Sequence, residues 1–240
     1  MPASPARALL ISVHLPKTAG TSFGESLTDR FGDRLLRDYD DAPLNTPPLA
    51  RKVSALLGGV RNLVTPPARA ECIHGHFLPI KYRWLHMRRR ACFVTWMRDP
   101  VERLASHYHF WNRQYNPRTA RPLHRQVVEE AWPFERFYRS PELLNLYGQF
   151  LWGFPVAAFD FIGVTEHYDE DFRFFVEAFL GGVSLPTYRV ETNAARQNER
   201  YVTDPGLRAD IESIHRRDMA LYRHALRMRQ RRTERPVAGC

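Results

Sequence analysis

Short apolar runs alternate along this chain with longer segments whose apolar residues recur at helical spacing. ALLISVH, at 8–14, is an apolar run with β-branched residues that ends in a turn, which is typical of a buried parallel strand. TSFGESLTDRF, at 21–31, has an aromatic or leucine at every fourth position, and Thr21 or Ser22 is placed to cap its first turn. The chain therefore opens with a strand, a loop and a helix.

A second unit of the same kind lies near the middle of the chain. ACFVTWM, at 91–97, indicates a buried strand, and it is followed by Asp99 as a helix cap and Pro100 as the first helical residue. Between the two units, ECIHGHF at 71–77 indicates another strand that turns at Gly75. We expect these strands to share one sheet.

The remaining segments continue the alternation. We predict a short helix in LARKVSALLGGV that is closed by Gly58 and Gly59, and a break at Pro133 within the helical pattern of 123–152. A strand and then a helix are predicted over 159–182, and a last helix over 205–229. Strands that alternate with helices predict an α/β fold, with a central parallel sheet flanked by helices.

Length and composition favour one folded domain. The chain has 240 residues, 44% of them hydrophobic, which is enough to bury a substantial core. We predict a single domain over 1–240, with 230–240 as a flexible basic tail. The 35 Lys and Arg residues exceed the 26 acidic ones, and the formal charge of +9 favours phosphate-bearing ligands, polyanions or acidic glycans. Solvated surface arginines are the alternative explanation of that charge.

The cysteines and the N-terminal segment bear on the cellular compartment. Cys72, Cys92 and Cys240 have no C-x-x-C spacing, which argues against a disulfide framework and a cysteine-rich zinc site. The first residues form neither a secretory hydrophobic region nor a membrane span. These features predict a cytoplasmic protein.

The loop after the first strand carries the first candidate chemistry. HLPKTAGTSF, at 14–23, resembles a phosphate loop, but Lys17 precedes Gly20 instead of following the glycines. Main-chain N–H groups, the Lys17 ammonium and the nearby hydroxyls can converge on one dianionic group. The alternative is a capped surface turn with a solvated lysine.

The second unit supplies Arg98 at the end of its strand and Ser106 two helical turns later. Neighbouring parallel strands would bring this loop beside the first one, and an arginine fork suits phosphate oxygens. In the alternative, Arg98 pairs with Asp99 or Glu102, and Ser106 only packs.

Together, HLPKTAGTSF and FVTWMRDPVERLASHYHF resemble the sulfotransferases that use 3'-phosphoadenosine 5'-phosphosulfate (PAPS), in particular the carbohydrate group that contains the heparan sulfate uronosyl 2-O-sulfotransferases. The resemblance implies a P-loop fold like that of nucleotide kinases. It also implies that Lys17 contacts the transferring sulfuryl group and that Arg98 and Ser106 hold the 3'-phosphate. The residues implied to hold the 5'-phosphate are Thr18, Ala19, Gly20, Thr21 and Ser22. The candidates in a loop that closes on the cofactor are Thr192, Asn193 and Arg196.

A general base is also needed, because an acceptor hydroxyl must lose its proton. Imidazoles, with an ordinary pKa near ~6.5, suit this role at neutral pH. The family has an H-G-H pair between its two cofactor segments, and the resemblance implies that His76 is the base and His74 supports it. A structural role for His74 is the alternative. A second H-x-H, His107 and His109, would diverge on a helix, so we expect no metal site.

The sequence therefore predicts an enzyme that moves a sulfuryl group in line from PAPS to a hydroxyl of a carbohydrate or another alcohol, and that releases adenosine 3',5'-bisphosphate. No metal and no nucleic-acid partner are expected. One alternative is a nucleotide-dependent kinase, for which Thr18 would hold magnesium together with an aspartate at the end of another strand. Another is a non-catalytic binder of acidic glycan or nucleic acid. The acceptor itself stays open between a glycolipid, an oligosaccharide and a secondary metabolite.

Overall fold

The computed structural model describes residues 8–41, 44–87, 90–188 and 200–234. Its strands are β1 (Leu9–Val13), β2 (Leu35–Arg37), β3 (Cys72–Gly75), β4 (Ala91–Met97) and β5 (Phe161–Val164). Its helices are α1 (Gly20–Phe31), α2 (Pro48–Val64), α3 (Pro100–Arg113), α4 (Pro122–Glu129), α5 (Phe134–Arg139), α6 (Leu146–Phe150), α7 (Tyr168–Leu180), α8 (Pro205–Ile214) and α9 (Arg216–Glu234).

The strands form one parallel sheet in the order β2-β3-β1-β4-β5. Val13, the last residue of β1, pairs with Gly75 on one side and with Thr95 on the other. The Thr95 hydroxyl donates a hydrogen bond of 2.8 Å to the Val13 carbonyl, which adds a side-chain link to the ladder. The predicted α/β fold with a central parallel sheet is therefore confirmed, and the carboxyl ends of β3, β1 and β4 lie side by side.

Helices cover both faces of this sheet. Leu9, Ile11 and Val13 of β1 point to the face that α6 and α9 cover, and Leu10 points to the face that α1 and α7 cover. A strand with helices on both faces must be apolar on both sides, because neither row of side chains meets water. This explains why β1 reads as a continuous apolar run and not as an alternating one.

Most of the predicted elements are confirmed, but one strand was missed and one helix is divided. β2 was not predicted, since three residues give too short a pattern. The predicted last helix is in fact two, α8 and α9, with a break at His215. The break predicted at Pro133 is confirmed, because this residue directly precedes α5.

Helix α2 does not end at Gly58 and Gly59 as predicted but continues to Val64. A Cβ on Gly59 would lie 2.6 Å from the Trp84 ring, and one on Gly58 would lie 3.1 Å from the Lys81 side chain. The two glycines therefore allow α2 to approach the 3-10 turns Pro79–Lys81 and Arg83–Met87 closely, and they are not caps.

The basic C-terminal segment is partly built into the domain. Residues 230–234 belong to α9 and not to a tail, and the Arg232 guanidinium lies 4.5 Å from the Phe161 ring centre. Arg232 Nη2 is also 2.8 Å from Asp171 Oδ1. Residues 235–240 lie outside the described part of the chain.

Two further expectations concern thiols and membranes. Cys72 is a free, buried thiol, whereas Cys92 is disulfide-bonded, a pairing that the cysteine spacing did not predict. Among the described helices, none is both long enough and apolar enough to cross a bilayer.

Candidate functional site

The three segments singled out in the sequence meet at one edge of the sheet. The Lys17 loop follows β1, His76 follows β3, and Arg98 follows β4. Because β1 lies between β3 and β4, the central loop has one segment on each side. The carboxyl edge of a parallel sheet is where open α/β folds bind ligands.

The loop between β1 and α1 has an unusual backbone. Lys17 and Ala19 both have left-handed φ angles, 63° and 64°, which cost a residue with a side chain about 1–2 kcal/mol each. Ala19 immediately precedes α1, and no side chain caps the helix. The predicted cap by Thr21 or Ser22 was wrong, since both lie within the first turn. The first N–H groups of α1, which no helical carbonyl can satisfy, therefore border this loop.

The Thr18 side chain holds the loop from inside. Thr18 is fully buried, and its hydroxyl donates a hydrogen bond of 2.8 Å to the Leu15 carbonyl. The hydroxyl proton is thereby used within the loop.

Lys17 links this loop to the second segment. Its ammonium nitrogen lies 3.6 Å from the centre of the Phe110 ring on α3. Ser106 is one helical turn before Phe110 and is buried. The contact thus brings Lys17 to the part of α3 that carries Ser106. This agrees with the prediction that the Lys17 loop and the Arg98 segment lie side by side.

Tyr147 fixes the main chain of Arg98. The Tyr147 hydroxyl donates to the Arg98 carbonyl at 2.6 Å and accepts from the Arg98 N–H at 2.9 Å. Tyr147 is fully buried on α6, so both bonds are anchored in the core. The Arg98 guanidinium is half-buried, with its carbon 5.7 Å from the centre of the Tyr201 ring.

The two carboxylates next to Arg98 are occupied by other groups. Asp99 Oδ1 accepts from the N–H groups of Val101 and Glu102 at 3.0 and 3.2 Å, which confirms it as the cap of α3. Asp99 Oδ2 bonds to Arg208, and Glu102 Oε1 lies 3.8 Å from the same guanidinium. The alternative in which Arg98 pairs with Asp99 or Glu102 was therefore wrong, and within the described ranges Arg98 forms no ion pair.

Three histidines pack together beneath the edge of the sheet. The His14 ring centre is 4.2 Å from that of His76 and 5.2 Å from that of His74, which is nearly parallel to it. A Cβ on Gly20 would lie 1.9 Å from His14 Cδ2, and one on Gly24 would lie 2.9 Å from His74 Nε2. The glycines of α1 therefore make room for imidazole rings, a function that the motif alone did not reveal.

His76 is held in one tautomer. Its Nδ1 lies 2.6 Å from the His14 carbonyl, which can only accept, so Nδ1 carries the proton and Nε2 of the neutral ring carries a lone pair. Burial lowers the pKa of His76, and the hydrogen bond to His14 partly opposes that shift. The ring is therefore neutral at pH 7, with an unprotonated nitrogen available to accept a proton.

His74 and His14 are neutral for the same reason. Burial, followed by the charge of His76, lowers the pKa of His74 to about 3. Its Nδ1 bonds to Ser12 at 2.8 Å. Burial and the neighbouring histidines also hold the pKa of His14 well below its usual range. His74 and His14 thus pack around His76 without adding charge.

Sequence reasoning missed the group that borders the cluster on the β2 side. Tyr39 OH lies 3.2 Å from His14 Nδ1, and Lys81 Nζ lies 2.7 Å from Asp38 Oδ2. A Cβ on Gly75 would lie 1.7 Å from the Asp38 carbonyl oxygen, so the segment after β2 passes directly over β3. The signal for this group was β2 itself, which was too short to recognise.

The other candidates are placed as follows. Thr192, Asn193 and Arg196 lie outside the described residues. His107 packs on Trp111 and His109 on Tyr201, so the two rings diverge along α3. Within the part of the chain that the structure describes, no group of three or more His, Cys, Asp or Glu side chains is arranged to hold a metal ion.

Comparison with known proteins adds no family. No protein-family model matches the chain, and a search of curated proteins finds no significant match. The functional interpretation therefore depends on the residues and their geometry.

Proposed function

We propose that this protein is a PAPS-dependent sulfotransferase, with the P-loop fold that its loop and helix arrangement resembles. One observation carries the proposal. The Lys17 loop, the Arg98 segment and His76 lie at the carboxyl ends of three adjacent strands, and His76 has its Nδ1 protonated and its Nε2 free to act as a base. A phosphate loop, a second anion-binding segment and a general base are the three parts that sulfuryl transfer requires.

The cofactor would lie across β1 and β4. The main-chain N–H groups of residues 18–22 and the N-terminus of α1 face a 5'-phosphosulfate, since these groups favour negative charge. Arg98 and Ser106 receive the 3'-phosphate, and the two hydrogen bonds between the Tyr147 hydroxyl and the Arg98 main chain hold Arg98 in place for this contact. Donors at both ends of the nucleotide would distinguish it from simple nucleoside monophosphates.

The chemical step is an in-line displacement at sulfur. His76 Nε2 takes the proton of the acceptor hydroxyl as the acceptor oxygen forms a bond to sulfur. The bond from sulfur to the phosphate oxygen breaks at the same time, and adenosine 3',5'-bisphosphate leaves with the electron pair. The Lys17 ammonium stabilises charge on that departing oxygen, which is the electrostatic contribution expected of a cation next to a leaving group.

Two observations disfavour the kinase alternative. Asp99, the carboxylate that follows β4, is occupied by the α3 cap and by Arg208. The Thr18 hydroxyl, which would bind magnesium, is buried and bonded to Leu15. A triphosphatase site needs both groups turned toward the metal.

The proposed acceptor is a hydroxyl of a carbohydrate or another alcohol that reaches His76 from the side of Tyr39. The Tyr39 ring is 38% exposed and meets His76 edge-on, with ring centres 5.0 Å apart. An aromatic side chain at the mouth of a site suits the apolar face of a sugar ring.

The test is product formation with a panel of hydroxyl acceptors. Purified protein is incubated with PAPS and sugars, glycolipids or small alcohols, and sulfated products are identified by mass. His76→Asn keeps a donor for the His14 carbonyl but removes the base, so we expect turnover to fall about 10²–10⁴-fold. His86→Asn, at an exposed histidine on the 3-10 turn, is the control. Transfer that survives in His76→Asn at the wild-type rate would contradict the proposal.

A further inference from the structure

Helix α2 carries an apolar stripe on its outward face. Its members recur at intervals of three, four or seven residues, as one side of an α-helix requires. They occupy an arc of about 100° on a helix of 3.6 residues per turn. The stripe consists of Leu49 (75% exposed), Val53 (48%), Leu56 (37%), Leu57 (65%), Val60 (54%) and Val64 (71%).

The stripe is distinct from the side of α2 that packs on the domain. Ala55 and Gly59 face inward, and Gly59 meets the Trp84 ring. Both are buried, whereas the stripe residues lie on another side of the same helix. Because α2 packs on the domain through its other side, the apolar side chains of the stripe are not needed for the core, and exposed patches of this kind mark interaction surfaces.

The charged residues of α2 itself all have one sign. Helix α2 contains Arg51, Lys52 and Arg61 and no acidic residue. Arg51 points inward and bonds to the Gln149 carbonyl, but Lys52 and Arg61 lie at opposite edges of the stripe. Lys52 is half-buried near the Trp152 ring, and Arg61 is exposed.

The 3-10 turn Arg83–Met87 is a neighbour of α2 in the fold. It packs on α2, and its last residue, Met87, is 66% exposed. Arg83 at its start is exposed as well. The surface therefore combines a row of apolar side chains with cations and has no acidic residue on α2.

We propose that the α2 stripe docks on the surface of an anionic lipid membrane, with the helix parallel to the interface. An interfacial helix buries its apolar side about 5–10 Å into the headgroup region and places Lys and Arg next to anionic headgroups. A second copy of the chain fits less well, because a twofold contact through the stripe would bring the cations of both copies together. This inference does not depend on the proposed sulfuryl transfer.

Vesicle sedimentation tests the proposal. Full-length protein is mixed with vesicles of pure phosphatidylcholine or of phosphatidylcholine with phosphatidylserine. We expect the protein to bind the anionic vesicles and to bind the neutral ones at least tenfold more weakly. Raising the salt concentration should weaken binding to the anionic vesicles. The double variant Leu57→Gln/Val60→Gln should lose most of the binding, and Arg61→Glu should weaken it several-fold.

Two controls separate docking from misfolding and from self-association. Leu226→Gln removes an apolar side chain on α9 that is 37% exposed, and it should bind vesicles like the wild type. Circular dichroism checks that the α2 variants keep their fold. Failure of the wild type to bind anionic vesicles overturns the proposal, as does unchanged binding by Leu57→Gln/Val60→Gln. The wild type could instead be a dimer that the double variant converts to a monomer, with neither protein binding vesicles. That result overturns the membrane proposal in favour of an interface between copies of the chain.

Discussion

His76 Nδ1 donates a hydrogen bond of 2.6 Å to the main-chain carbonyl of His14. The bond joins the end of β3 to the loop after β1, and thus connects two of the three sequence motifs. It also fixes the tautomer of His76, because a carbonyl cannot donate. A main-chain partner does not titrate, so Nε2 is the nitrogen that gains and loses a proton with pH.

The first prediction concerns the pH dependence of transfer. Burial lowers the pKa of His76, so Nε2 stays unprotonated at pH values where an ordinary histidine, with a pKa near ~6.5, would be half charged. We expect kcat to hold constant from pH 8 down to about 6.5 and to fall only below that value. The measurement is the rate of sulfated product formation against pH. An acidic limb centred above pH 7 would rule out His76 as the base.

The second prediction concerns the space that Gly20 leaves for His14. A Cβ at this position would lie 1.9 Å from the His14 ring, so Gly20→Ala must displace the ring or the helix. Overpacking of this kind costs about 1–3 kcal/mol of unfolding free energy. Gly148→Ala is the matched control, because a Cβ on Gly148 of α6 meets nothing within 4 Å.

Urea denaturation measures both glycine variants. We expect Gly148→Ala to be neutral or to stabilise the protein by up to about 1 kcal/mol, since alanine restricts the unfolded chain more than glycine does. Equal midpoints for the two variants would show that His14 does not occupy the space above Gly20.

The third prediction concerns Tyr147 as a positioning residue. Tyr147→Phe removes both hydrogen bonds to the Arg98 main chain and keeps the ring in the core. At about 1 kcal/mol for each bond, or about 2 kcal/mol for the two, we expect affinity for adenosine 3',5'-bisphosphate to fall roughly 30-fold. Affinity for adenosine 5'-phosphosulfate, which has no 3'-phosphate, should hardly change. Equal losses for both ligands would indicate a merely structural role.

The fourth prediction is a loss of stability in mild acid. The folded protein holds the pKa of His74 at about 3, whereas the unfolded chain has an ordinary value near ~6.5. The unfolded state therefore binds a proton first, and the contribution of His74 is complete above pH 6.5 and is lost as the pH falls toward 3. From pH 7.5 to pH 5 this loss is about 2 kcal/mol for His74.

Urea titrations at pH 7.5 and pH 5 test this prediction. His74→Gln should lose less stability between the two pH values than the wild type does, and the exposed-site variant His86→Gln should lose as much as the wild type. Three other buried histidines with lowered pKa values also contribute stability that is lost as the pH falls, namely His14, His107 and His215. A wild-type stability that is flat from pH 7.5 to pH 5 would contradict the burial of neutral imidazoles.

The sequence alone was informative where one segment determines its own structure. β1, β4 and the helices after them follow from apolar runs, and the Asp99 cap follows from a residue next to a helix-starting proline. The adjacency of the Lys17 and Arg98 loops also followed, because parallel strands end at a common edge.

The remaining features depend on contacts between distant residues. Arg208, more than a hundred residues after Asp99, binds the Asp99 carboxylate, so this carboxylate is not paired with Arg98. Gly20 resembled a glycine of a ligand loop, but it is required because the His14 ring packs against it. Gly59 resembled a helix cap, but it is required because the Trp84 ring packs against it. Close approaches of this kind leave no periodic pattern in a sequence.

The central claim is that the edge formed by β3, β1 and β4 binds the PAPS nucleotide, and calorimetry with adenosine 3',5'-bisphosphate tests it most directly. We expect one molecule to bind per chain without magnesium, and Arg98→Gln to weaken binding by about 1.5–3 kcal/mol, or roughly 10- to 150-fold. Arg113→Gln, at an exposed arginine on α3, should bind like the wild type. Absence of binding to the wild type, or equal affinity in Arg98→Gln, would contradict the claim.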